Sequence, residues 1–116
     1  MRRRLAPVLL MLLTVAAPAA AHSLLLDASP AANSVVTAVP REVALRFNNR
    51  IEKRLSRVRL VDERGEGRDL ELTTAGGADR LHAAVPDVAP GRYRVEWQVL
   101  STDGHVVTGR YFFTLK

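Results

Sequence analysis

The chain contains no cysteine. That excludes disulfides, thiolate zinc sites, iron–sulfur clusters and cysteine nucleophiles. Only 5% of its 116 residues are aromatic, so broad stacking platforms for bases or sugars are absent. Methionine occurs twice, at Met1 and Met11. From residue 22 onward the chain has no thioether, the usual soft donor for Cu(I) when cysteine is missing. Excess positive charge is also scarce there. The formal charge of +5 owes three units to Arg2, Arg3 and Arg4; without them 14 basic residues face 12 acidic ones. A domain so close to neutrality lacks the electrostatic footprint of a nucleic-acid binder.

What is present begins with an export signal. Met1 to Arg4 form a positive n-region, Leu5 to Ala17 an apolar h-region, and Pro18-Ala19-Ala20-Ala21 a small-residue cleavage site. The apolar stretch is shorter than the roughly 20 residues that span a bilayer. Cleavage after Ala21 is therefore expected, with residues 1–21 removed and a mature domain over 22–116. These 95 residues must fold on a hydrophobic core alone in an oxidising compartment.

Beyond residue 22 the dominant period is two. Val43, Leu45 and Phe47 share one face, as do Val58 and Leu60. Leu70 and Leu72 alternate with acidic residues, and Leu81 and Ala83 flank His82. Tyr93, Val95, Trp97 and Val99 alternate with Arg94, Glu96 and Gln98, and Tyr111, Phe113 and Leu115 close the pattern. Turn residues separate these runs: Ser29-Pro30, Glu63 to Gly67, Ala75 to Ala78, Pro86 to Gly91, and Asp103-Gly104. About seven short strands at this spacing predict an all-β domain: a small antiparallel Greek-key sandwich or barrel, immunoglobulin-like. Leu45, Phe47, Val95, Trp97 and Val99 are expected inside, with no helix longer than two turns.

Three histidines remain for chemistry: His22, His82 and His105. Cleavage after Ala21 would free the His22 α-amine, which can chelate a metal together with its own imidazole Nδ1. These borderline nitrogen donors suit Cu(II), Ni(II) or Zn(II). Asp103 and His105, one residue apart, can leave the same face of a hairpin and converge on one point. By itself Asp103-Gly104 reads more readily as a plain hairpin turn. Amine, two imidazoles and a carboxylate together form an N3O set that suits tetragonal Cu(II). His82 falls in an ordinary strand. A Ser-His-Asp triad lacks a nucleophile-elbow context.

The run from His22 through Ser29-Pro30, then Val43-Ala-Leu-Arg-Phe47, Pro90-Gly91-Arg-Tyr93-Arg-Val95-Glu-Trp97, and Ser101-Thr-Asp103-Gly-His105 to Thr108-Gly109 resembles the CopC-type periplasmic copper-binding proteins over essentially all of residues 22–116. The resemblance implies a β-sandwich that holds one Cu(II) per mature chain through His22, Asp103 and His105. It also implies a periplasmic location, a role in copper homeostasis and resistance, and sequestration or delivery of copper to an inner-membrane CopD-like transporter. The expected partners are copper and that transporter; the expected state is a monomer without enzymatic activity. Two departures stand out. The methionine-rich Cu(I) segment of some members is missing. Where some members place a glutamate ligand after the Leu-x-Phe strand, this chain has Asn48-Asn49, with Glu52 further on. Whether Asn49 or Glu52 contributes to the site stays open. Two other readings compete: a metal-free immunoglobulin-like adhesion domain, and a copper monooxygenase-like enzyme. The latter is disfavoured because Asp103 would fill the coordination plane where oxygen must bind.

Overall fold

The computed structural model describes residues 24–116. The expected leader and His22 lie outside this range. Nine strands follow one another: β1 (Leu25–Ser29), β2 (Val35–Val36), β3 (Glu42–Phe47), β4 (Arg57–Val61), β5 (Gly67–Asp69), β6 (Glu71–Thr73), β7 (Arg80–Ala84), β8 (Gly91–Leu100) and β9 (Val106–Leu115). A single 3₁₀ turn at Lys53–Leu55 is the only helical element among the described residues. The strands form a two-sheet β-sandwich. One sheet has the order β1-β3-β7-β6, the other β2-β9-β8-β4-β5.

The alternating runs build the core because each sends one set of side chains to the sheet interface. Val43, Leu45 and Phe47 come from β3, Val58 and Leu60 from β4, Leu81 and Ala83 from β7, Val95 and Val99 from β8, and Phe113 and Leu115 from β9; all are buried in one cluster. Trp97 departs from expectation. It shares the inward face of β8 but is only partly buried. It pairs with Gly109 on β9, and a Cβ on Gly109 would stand 2.1 Å from the Trp97 ring. The indole occupies the side-chain space that glycine vacates, and packs against Phe47 and Tyr111 at centroid distances of 6.4 and 6.2 Å.

Two further differences concern topology. The Leu70–Leu72 segment, read above as one alternating run, divides between sheets. Residues up to Asp69 pair with β4, and residues from Glu71 pair with β7. Leu70 sits buried at the crossing, its amide donating to the Val58 carbonyl at 2.9 Å. The second departure is β2, two residues long, which pairs with β9 in parallel. The remaining pairs of named strands are antiparallel.

Candidate metal site in the β8–β9 hairpin

β8 and β9 form one long antiparallel ladder from Gly91↔Leu115 to Leu100↔Val106. The turn beyond it is tied by backbone. The Ser101 amide donates to the His105 carbonyl, and the Gly104 amide donates to the Ser101 carbonyl, both at 2.9 Å. Gly104 adopts φ +88°, a left-handed conformation that a Cβ disfavours. Asp103 Oδ1 accepts the His105 amide at 3.1 Å, the side-chain-to-backbone bond that favours aspartate in turns. Its other oxygen, Oδ2, lies 3.2 Å from His105 Nδ1.

The hairpin thus brings Asp103 and His105 together. His105 is largely solvent-exposed at 65% and Asp103 less so at 32%. Two cis donors each about 2.0 Å from a metal in a square plane stand about 2.8 Å apart. The 3.2 Å separation is close to that edge, so one metal ion fits the pair with only a small side-chain adjustment. Among the described residues, no third His, Asp or Glu side chain completes a cluster with them. Glu52 therefore does not join the pair by side chain, although its amide donates to the Leu100 carbonyl at 2.9 Å beside the hairpin. His82 lies on β7, where its Nδ1 faces Glu42 Oε1 at 3.1 Å. It belongs to the other sheet, whereas Asp103 and His105 lie between β8 and β9.

One link near the hairpin escapes the sequence reading. Asn48, named there only as standing where some members place a glutamate ligand, fastens the start of the described chain. Leu24 donates its amide to Asn48 Oδ1 at 2.7 Å, and the Asn48 amide donates to the Leu24 carbonyl at 3.0 Å. Three residues on, Ile51 bridges to Ser101. The segment from Asn48 to Glu52 therefore joins the start of β1 to the base of the Asp103–His105 hairpin. Spacing gave no signal of this, because the link runs through pairings between distant strands.

The described residues thus form a two-sheet β-sandwich with an imidazole–carboxylate pair on an end hairpin. The family model of the CopC domain matches residues 25–116, and the chain belongs to the CopC family. It is 32% identical over 111 residues to copper resistance protein C of Escherichia coli, covering 88% of this chain and 87% of that one. Protein YobA of Escherichia coli K12 is 33% identical over 99 residues, covering 83% and 80%. Copper transport protein CutJ of Bacillus subtilis is 27% identical over 99 residues, which make up 82% of this chain but 18% of CutJ. Among solved structures, CopC from Methylosinus trichosporium OB3b superposes with a TM-score of 0.75 at 37% identity, covering 82% of this chain and 94% of that one. PcoC from Escherichia coli, described as a methionine-rich copper resistance protein, gives 0.69 at 29% identity, covering 83% and 100%. Membership in this family assigns the chain to copper handling.

Proposed function

We propose that the protein is an exported Cu(II) carrier. It takes one ion on the α-amine and imidazole of His22 together with Asp103 and His105, and passes the ion to a copper transporter of the inner membrane. The observation that carries this reading is the Asp103–His105 pair, held 3.2 Å apart at the end of the sandwich where the chain enters β1. His22 stands two residues before Leu24, so its backbone can lie no more than about 7 Å from the Leu24 tether to Asn48. The donor set is nitrogen and carboxylate, which selects Cu(II) over Cu(I). In this it differs from a methionine-rich relative such as PcoC, since residues 22–116 contain no methionine. Export follows from the leader pattern of residues 1–21, which would also create the His22 amine. Delivery to a transporter is supported by CutJ, a longer copper transport protein of which a segment like this one forms part.

The test is a Cu(II) titration of two forms of the protein, one beginning at His22 and one at Ala21. Before cleavage the His22 nitrogen is an amide, a poor donor unless deprotonated, so the extra residue should weaken binding nearly as much as His22→Ala. Circular dichroism checks that both are folded. Equal affinity in the two forms would remove the amine from the site and with it this reading.

A further inference from the structure

On the outer face of the five-stranded sheet lies a groove of about 580 Å³. β4 contributes Arg57 and Arg59, exposed because Val58 and Leu60 point inward. β8 contributes Glu96 and Gln98, and β9 contributes Thr108 and Arg110. The register sets these side chains in two rows, Arg59–Glu96–Arg110 and Arg57–Gln98–Thr108. Glu96 is occupied by its strand neighbour Arg94, whose Nε donates to Oε1 at 2.8 Å. Among the described residues, none of the three groove arginines has an ion pair with a carboxylate. Arg59 is also positioned: its guanidinium lies over Gly67, where a Cβ would stand 2.4 Å from Nε. Part of the ordering cost of binding is thereby met in advance.

We propose that this groove docks an extended acidic segment of a protein partner. Arg57 and Arg59, two residues apart on one face, are separated by about 6.6 Å along the strand. An extended chain with carboxylates at alternate residues repeats at the same distance. Arg110 lies two strands from Arg59, about 9.5 Å away, so it engages the segment from its other side. Each guanidinium fork matches a carboxylate in bidentate fashion. A nucleic-acid strand is disfavoured by the near-neutral balance of the domain, 14 basic residues against 12 acidic once Arg2 to Arg4 are set aside.

The probe is an acetylated six-residue peptide alternating Glu and Ser, titrated into the 22–116 domain and followed by amide NMR and by the indole resonance of Trp97, the single tryptophan. Shifts should concentrate on β4, β8 and β9. Affinity should fall at least tenfold in Arg59→Gln/Arg110→Gln and change less than twofold in Arg41→Gln/Arg80→Gln, whose side chains lie outside the groove. Gly67→Ala, whose added Cβ meets the guanidinium of Arg59 first, should weaken binding several-fold while the thermal transition is kept. Equal loss in both double variants, shifts elsewhere on the surface, or no binding would overturn the proposal. So would an equal or higher affinity for inorganic phosphate or an oligothymidylate. Cu(II) binding is measured on the same variants; it should be unchanged, which separates failure of the groove from failure of the copper site.

Discussion

Asn48 and Leu24 hydrogen-bond in both directions, side chain to backbone at 2.7 Å and backbone to backbone at 3.0 Å. The first of these bonds is the one that mutation can remove. Asn48→Ala strips the acceptor from the Leu24 amide, an exposed group that water can partly satisfy. The cost to global stability should be about 0.5–1 kcal/mol. Its larger effect should fall on copper, because the chain two residues after His22 loses its anchor. Cu(II) affinity should drop several-fold while the denaturation midpoint moves little. Unchanged affinity would show that the tether does not position the proposed ligand.

Gly104 tests the hairpin from the opposite direction. A Cβ there would meet nothing within 4 Å, so the cost of substitution is purely conformational. Gly104→Ala should destabilise by about 1–2 kcal/mol through the left-handed backbone. It should also disturb the Asp103–His105 separation and lower Cu(II) affinity. Gly104→Asn should recover much of both, since asparagine tolerates positive φ. Chemical denaturation and copper titration of the two variants give the comparison.

Gly109 is the reverse case, a glycine required by packing. Gly109→Ala drives a methyl into the Trp97 ring, and the ring has Phe47 and Tyr111 as neighbours. Overpacking of this kind should cost about 1–3 kcal/mol. Urea denaturation measures it, and a shift in tryptophan emission should accompany the displaced indole.

Two phenols govern the alkaline limb of stability. Burial pushes the Tyr111 hydroxyl well above the ordinary tyrosine range. Tyr93 is raised as well, first by burial and then by the nearby Asp62 carboxylate. In the unfolded chain both ionise near pH 10, while the folded protein keeps them neutral. The folded state then binds more protons, so stability is constant with respect to these groups below pH 10 and falls above it. The slope approaches about 1.4 kcal/mol per pH unit for Tyr111. Tyr111→Phe should flatten the profile. It should also leave stability at pH 7 unchanged or slightly higher, since the hydroxyl makes no hydrogen bond among the described residues.

The parts of this molecule legible in its sequence are those where one strand suffices to show the pattern. Tyr93, Val95 and Val99 announce β8, Phe113 and Leu115 announce β9, and Asp103-Gly104 marks the turn between them. Asp103 and His105 were legible as a pair because two residues apart in a hairpin is a local relationship. Leu70 was legible as buried but not as a crossing between sheets, because alternation does not say which neighbour a strand will choose. Trp97 was assigned to the right face. Its partial exposure depends on facing Gly109, a pairing that spacing within one strand does not reveal. The roles of Asn48 and of the arginine groove depend on pairings between distant strands, and single-sequence periodicity carries none of that information.

The direction of β9 has a practical consequence. The strand leaves the hairpin at Val106 and runs ten residues to Leu115, with its far end gripped on both sides: Leu115 pairs with Gly91 and with Val36. Ten residues of strand cover about 33 Å. A protein immobilised, labelled or fused through Lys116 would therefore present the hairpin at the far pole of the sandwich, pointing away from the surface that holds it. The same cargo placed before His22 would sit on the pole where the proposed chelate forms. For a sensor or a surface-display format the two ends of this chain are not interchangeable, and a handle at Lys116 leaves the pole of the proposed chelate unobstructed.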